Sequence, residues 1–133
     1  MLKKGAEADV YLSSWNGKKI VLKIRKEKKY RNSSLDIRIR KQRTIREAQI
    51  ISDVKSFGIS TPLIHFVDYK KFSIYMQYVN GKLIRDMDDK SIPKTCLELG
   101  KIVGRLHRNG IMHGDLTTSN FIQTKKNLFL IDF

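Results

Sequence analysis

The segment that most constrains this 133-residue chain lies near its carboxyl end. Residues His113–Asn120 read His-Gly-Asp-Leu-Thr-Thr-Ser-Asn, and residues Leu130–Phe133 read Leu-Ile-Asp-Phe. The combined pattern is H-x-D-L-x-x-x-N followed, after a short apolar run, by D-F. Ordinary composition produces fixed residues at these offsets in about one chain in a thousand of this length. The pattern therefore restricts the fold more strongly than the composition does.

This pattern resembles the catalytic loop and the metal-binding motif of the protein kinases. Phosphoryl transfer needs a carboxylate that accepts a hydroxyl proton, and oxygen ligands that hold Mg²⁺ on the β- and γ-phosphates of ATP. The resemblance implies that Asp115 has the first role and that Asn120 and Asp132 have the second. Gly114 replaces the arginine that usually binds a phosphorylated activation loop, so we expect no regulation through that pairing.

A lysine for the nucleotide phosphates is predicted on an early strand. Residues Ile20–Lys23 match the V-A-I-K strand of the kinases, which puts Lys23 where a kinase neutralises the α- and β-phosphates. Glu47 follows within a predicted helix, where we expect it to form an ion pair with Lys23. A strand lysine taken alone is usually a solvated one, so this assignment depends on the motifs at Asp115 and Asp132.

The loop that covers the phosphates in kinases is matched only in part. Aligning the G-x-G-x-x-G-x-V pattern on Val10 keeps Gly5 as the middle glycine, while the other two glycines are replaced. The resemblance implies ATP contacts at Gly5, Ala6, Glu7, Ala8, Asp9 and Val10. It also implies adenine contacts at Met76 and Tyr78, where kinases pass from the N-lobe to the C-lobe. Plain core packing stays open as the role of Met76.

The order of predicted elements indicates an α+β fold. Apolar alternation and turn residues predict two β-hairpins with a helix between them, then a second helix and a pair of short strands. The predicted bounds are Asp9–Trp15 and Lys19–Arg25, helix Asp36–Phe57, Leu63–Asp68 and Phe72–Tyr78, a helix from Pro93 to Gly110, and Phe121–Gln123 and Leu128–Ile131. The resemblance of the motifs at Asp115 and Asp132 to those of the kinases implies a protein-kinase-like fold. Residues 1–79 are expected to form a β-rich N-lobe with five strands, helix C and the hinge, and residues 80–133 an incomplete, mainly helical C-lobe.

Two helix faces and one loop are predicted in more detail. In the first helix, apolar residues recur every three positions from Ile45 to Val54, which predicts a buried stripe. In the second helix, Cys96 lies in line with Leu99 and is expected to be buried. The polar, basic stretch Lys26–Ser34 is expected to be mobile.

The chain is strongly basic, with 27 Lys and Arg against 13 Asp and Glu. Thirteen of the basic residues and only two acidic ones fall between Lys18 and Arg46, a range that we call the basic segment. Such a field attracts polyanions, so we expect nucleic acid or an acidic partner, with a solvated, solubilising face as the alternative. One cysteine excludes an internal disulfide, and no signal-peptide core or apolar run of membrane-span length is apparent. We expect a cytosolic protein that does not bind membranes.

More narrowly, three segments resemble the kinase subunit of the KEOPS complex: Gly5–Ala8, Arg46–Ala48 and His113–Asn120. This family of small atypical Ser/Thr kinases, also called the p53-related protein kinase family, is akin to the RIO kinases. The resemblance implies a cytoplasmic, ATP- and Mg²⁺-dependent kinase and ATPase that supports threonylcarbamoyladenosine formation in tRNA. It also implies three partners: a threonylcarbamoyl-transferring subunit, a small subunit docked on the N-lobe, and tRNA facing the basic segment. The modest length suggests an archaeal member.

Two other functions stay open: a RIO-like Ser/Thr kinase in ribosome assembly, and a pseudokinase scaffold that binds RNA through its basic surface. RIO kinases usually carry an additional N-terminal domain, which weighs against the first. Retention of Lys23 and of the three motif residues weighs against the second, because a scaffold has no physical need for them. The sequence stops at Phe133, before the expected glycine, so we expect a truncated or partly resolved kinase whose natural phospho-acceptor is left open.

Overall fold

The computed structural model describes residues 3–5, 7–88, 90, 92–111 and 120–131. Its elements are strands β1 Lys3–Lys4, β2 Ala8–Trp15 and β3 Lys18–Arg25, helix α1 Ser33–Ser56, strands β4 Ile64–Asp68, β5 Ser73–Gln77 and β6 Lys82–Leu83, a 3₁₀ helix Ile84–Asp86, helix α2 Ile92–Arg108, and strands β7 Phe121–Gln123 and β8 Leu128–Leu130. The chain divides into two compact units, residues 1–49 with 63–78, and residues 50–62 with 79–133. The predicted order of hairpin, helix, hairpin, helix and paired strands is confirmed.

The first unit contains a five-stranded antiparallel sheet with strand order β1-β2-β3-β5-β4. Its first hairpin turns at Asn16 and Gly17, whose φ angles of 52° and 77° are the left-handed values that a type I′ turn requires. Strand β3 lies at the centre of the sheet. Its residue Lys23 is paired with Val10 on β2 and with buried Ile74 on β5. Both predicted hairpins are confirmed.

Helix α1 begins at Ser33, earlier than predicted, because side chains before it satisfy its first backbone groups. Asn32 Oδ1 accepts a hydrogen bond from the Leu35 N–H at 3.0 Å, which is an N-cap. The Lys28 N–H donates to Asp36 Oδ1 at 3.1 Å. The stretch predicted to be mobile therefore makes specific contacts with the first turn of the helix.

The buried face of α1 is polar over its first half and apolar over its second. It consists of Asp36, Thr44, Glu47, Ile51 and Val54, which recur at intervals of three, four and eight residues. Ile45 lies off this face and is 44% exposed, so its predicted place in the buried stripe is wrong. The apolar pattern misled the prediction because, in the first unit, charges rather than apolar side chains dock the helix.

The second unit contains a three-stranded sheet of order β6-β7-β8 and the helix α2. Its buried core consists of Val54, Ile59, Ile84, Leu106, Phe121, Leu128 and Leu130. The last residue of strand β8 is tied to the segment after α1, because the Leu130 N–H donates to the Ser60 carbonyl at 2.9 Å. No helix within the described part of the chain is both long enough and apolar enough to span a membrane.

Cys96 is exposed, so the prediction that its thiol is buried is wrong. The inward face of α2 passes through Thr95, Leu99 and Leu106, at the spacings of neighbouring helix turns. Cys96 is one residue off this face. A sequence pattern that places Cys96 in line with Leu99 cannot detect this rotation, because a buried threonine reads as polar.

Candidate active site

The centre of the candidate site is an ion pair between strand β3 and helix α1. Lys23 Nζ donates to Glu47 Oε1 at 2.5 Å, and only 3% of the Glu47 side chain is exposed. Strand β3 carries Lys23 on the face that α1 covers, and α1 supplies Glu47 three residues after buried Thr44. The ion pair predicted from the sequence is confirmed.

A second cation shares the same carboxylate. Arg25 Nη2 donates to Glu47 Oε2 at 3.3 Å and also to the Arg43 carbonyl at 3.3 Å. Alternate residues of a strand lie on one face, so Lys23 and Arg25 both face α1. Sequence reasoning missed Arg25, although this alternation was a signal that could have found it. The carboxylate is thus held by two cations.

Asp36 fixes the start of α1 and so helps to place Glu47 along the helix. Its Oδ2 accepts from Arg40 Nε at 2.7 Å, and its Oδ1 lies 3.3 Å from Arg31 Nη1. Burial raises the pKa of Asp36, but the hydrogen bond from the Lys28 N–H and the charges of Arg40 and Arg31 outweigh it and hold the pKa below its ordinary value. Arg40 also stacks on the Phe72 ring, 4.1 Å from its centroid.

The amino-terminal loop forms a tight turn. The Gly5 N–H donates to the Ala8 carbonyl at 3.0 Å, and a Cβ on Gly5 would lie only 2.6 Å from that oxygen. The turn therefore requires glycine at this position. The two acidic residues of the loop form ion pairs, Glu7 with Arg43 at 2.7 Å and Asp9 with Lys26 at 3.1 Å. Each of these two carboxylates therefore has a cation partner within the first unit.

Strand register brings the predicted apolar residues to the face of the sheet that carries Lys23. Val10 is the cross-strand partner of Lys23, and Met76 is the partner of Val21, two residues before Lys23. Tyr78 follows β5, and Lys19 Nζ lies 5.7 Å from the centroid of its ring. The structure thus groups Val10 and Met76 with Lys23.

Of the remaining predicted site residues, Asn120 lies within the described part of the chain. Asn120 is buried directly before β7, and its carbonyl accepts from the Ile131 N–H at 2.8 Å. Ala6, Asp115 and Asp132 lie outside the described residues, so their roles stay predictions. Within the described ranges, no three His, Cys, Asp or Glu side chains are grouped as metal ligands.

Comparison with known proteins defines the class. A model of the protein kinase domain matches residues 2–133, and the chain belongs to this family. The fold matches that of Rio2 kinase from Chaetomium thermophilum, solved as a complex with ADP, Mg²⁺ and phosphoaspartate. The TM-score is 0.83 over 98% of this chain and 45% of that one, at 18% sequence identity. The predicted protein-kinase-like fold is confirmed.

Particular relatives lie within this family. The chain is 40% identical to the KEOPS complex subunit Bud32 of Pyrococcus abyssi, over all of this chain and 65% of the relative. It is 45% identical to a probable bifunctional tRNA threonylcarbamoyladenosine biosynthesis protein of Methanocaldococcus jannaschii, and 42% identical to that of Methanosarcina acetivorans. It spans 24% and 23% of these two proteins. The resemblance to the KEOPS kinase subunit is confirmed.

Proposed function

We propose that this chain is the catalytic part of a Ser/Thr protein kinase that also hydrolyses ATP, with the nucleotide phosphates bound at Lys23. The observation that carries this proposal is the buried ion pair of Lys23 with Glu47, on the sheet face shared with Val10 and Met76. A lysine ammonium group such as that of Lys23 suits phosphate oxygens, and apolar side chains suit a purine ring. The described residues therefore fit ATP.

The proposed reaction assigns one task to each group. Mg-ATP, when bound, supplies the γ-phosphoryl group. The bond from the γ-phosphorus to the leaving oxygen of ADP breaks, and a bond to a hydroxyl or water oxygen forms. We assign the released proton to the carboxylate of Asp115, and Mg²⁺ binding to the side-chain oxygens of Asn120 and Asp132. Lys23 neutralises phosphate charge, held in position by Glu47.

Arg25 has a positioning role in this proposal. A lysine that turns toward phosphate weakens its hold on Glu47, but Arg25 stays hydrogen-bonded to the other carboxylate oxygen. Glu47, and with it α1, then keeps its place with or without nucleotide. The support for this role is the geometry of the two cations, which contact different oxygens of one carboxylate.

We further propose that the kinase serves threonylcarbamoyladenosine formation in tRNA, as part of a KEOPS-type assembly in the cytoplasm. The support is the similarity to its relatives, one a KEOPS complex subunit and others probable bifunctional proteins of tRNA threonylcarbamoyladenosine biosynthesis. The proposed partners are the threonylcarbamoyl-transferring subunit and a small subunit docked on the first unit.

The basic segment remains a proposed contact for tRNA, in a narrower form. At least six of its cations form ion pairs within the first unit: Lys23, Arg25, Lys26, Arg31, Arg40 and Arg43. Those side chains dock α1 and the amino-terminal loop. The cations with exposed side chains, among them Lys29, Arg38 and Lys41, are the ones that a polyanion would meet.

Phosphate release from Mg-ATP tests the enzyme. We expect turnover by the full chain, a large loss in Lys23→Met, and no change in the control Lys70→Met, whose exposed lysine lies in the β4–β5 turn. The loss is expected because the variant removes the charge that neutralises the phosphates. Equal turnover in parent and Lys23→Met would refute the assignment, and a loss in Asp115→Asn would separate an enzyme from a scaffold.

A further inference from the structure

A groove in the second unit is lined by polar and charged side chains, and four of its seven described lining residues are lysines. Lys90 lies just before α2, Lys94 lies in its first turn, and Lys125 and Lys126 lie in the turn between β7 and β8. Glu98 is the one carboxylate of its lining among the described residues. A solubilising surface usually mixes both signs of charge, whereas this groove has four positive charges against one negative.

The turn that carries two of these lysines is rigidly built. The hydroxyl of Thr124 accepts from the Lys126 and Asn127 N–H groups at 3.3 and 3.0 Å, and donates to the Asn127 carbonyl at 3.0 Å. Gln123 Nε2 donates to that same carbonyl at 3.1 Å. The side chains of Gln123 and Thr124, which precede the lysines, thus fix the backbone of the turn. The turn holds two adjacent lysines with exposed side chains.

The residue types that line the groove indicate the class of ligand that it can bind. Small-molecule sites are mostly apolar with a few polar groups, but in the described part of the chain the groove has polar and charged side chains alone. Among these residues there is no aromatic ring on which an unpaired base could stack. Lysine ammonium groups bind phosphate as point charges and carry no sequence information. The groove therefore suits the sugar-phosphate backbone of a folded, base-paired nucleic acid.

We propose that this lysine groove binds the phosphate backbone of folded RNA, independently of sequence. The inference rests on the proposed function, for which the RNA is tRNA. It adds a contact surface that belongs to the second unit, whereas the basic segment belongs to the first unit and has much of its charge already paired.

The chain contains a matched control for this proposal. Lys70-Lys71 is a second adjacent lysine pair in a turn between antiparallel strands, and Asp68 Oδ1 accepts from both backbone N–H groups at 3.0 and 3.2 Å. The double variants K125Q/K126Q and K70Q/K71Q remove the same charge from similarly ordered turns. Their RNA affinities, measured by fluorescence anisotropy with a labelled tRNA transcript over a salt series, separate a local contact from the effect of net charge.

We expect K125Q/K126Q to weaken tRNA binding by about tenfold or more at low salt and to reduce the slope of log K against log salt by about 1 to 2. We expect K70Q/K71Q to stay within about twofold of the parent. Equal losses in the two variants, or none, overturn the groove as a site. Tighter binding of a single-stranded oligonucleotide or of polyglutamate than of tRNA overturns the choice of folded RNA. Mg-ATP turnover without RNA is expected to be unchanged in K125Q/K126Q. The RNA site in the groove and the ATP site at Lys23 can therefore be refuted separately.

Discussion

Replacing Glu47 by glutamine tests the buried charge cluster. The substitution keeps the shape of the side chain but removes the carboxylate charge that Lys23 and Arg25, whose side chains are 12% and 11% exposed, both contact. At an effective dielectric constant of about 20, the N···O distances of 2.5 and 3.3 Å correspond to attractions of about 7 and 5 kcal/mol, most of which desolvation offsets. Removal of one member of such a cluster typically costs about 3–5 kcal/mol net. With a urea m-value of about 1.5 kcal/mol per molar, the unfolding midpoint should fall by about 2–3 M.

The assay can follow the first unit alone, because Trp15 is the only tryptophan and stacks edge-on against His65 at 5.4 Å between centroids. The control is Glu7→Gln, which removes the same charge from an ion pair of 2.7 Å whose carboxylate side chain is 53% exposed. Surface pairs contribute about 0–1 kcal/mol, so its midpoint should move by less than about 0.7 M. Equal shifts in the two variants would refute the argument that burial makes the Glu47 cluster strong.

Two further predictions concern acid stability and a close backbone approach. Because the folded-state pKa of Asp36 is lowered, its stabilisation is full above the unfolded pKa of about 3.9 and is lost as pH falls through the folded value. We therefore expect the free energy of unfolding, followed by Trp15 fluorescence, to fall less below about pH 5 in Asp36→Asn than in the parent. The same dependence of this free energy on pH in both proteins would contradict the prediction. A Cβ on Gly81 would lie 2.3 Å from the Gln123 carbonyl oxygen, so Gly81→Ala should cost about 1–3 kcal/mol in urea unfolding followed by circular dichroism. The control Gly104→Ala, with open space inside α2, should be neutral or stabilising, and the opposite order would show that β6 can move away from β7.

Local chemistry explains what the sequence could predict of the fold. The Asn16-Gly17 turn lies between two strands of alternating apolar residues, so the hairpin depends on neighbours in the chain. Lys23 and Glu47 were found because a motif fixes their roles, not because periodicity does. The start of α1 was missed because it depends on the Asn32 cap and on Asp36, which holds the preceding loop.

The errors share one physical cause. Periodicity methods assume that a buried face is apolar, and both helices bury polar residues instead, Glu47 on α1 and Thr95 on α2. The predicted buried face therefore wrongly includes Ile45 on α1 and Cys96 on α2, which are both exposed. Arg25 was missed because strand alternation places it on the same face as Lys23 but does not identify Glu47 as a shared partner. The catalytic roles of Asp115 and Asp132 stay predictions from the motif alone.

The polar docking of α1 has a consequence for how the first unit responds to heat. Hydration of charged groups becomes less favourable as temperature rises, so the cost of keeping Glu47, Lys23 and Arg25 out of water falls on heating. Stabilisation from apolar burial instead reaches a plateau. We therefore expect α1 to stay packed on the sheet up to a higher temperature than a helix of the same length that is docked by apolar side chains.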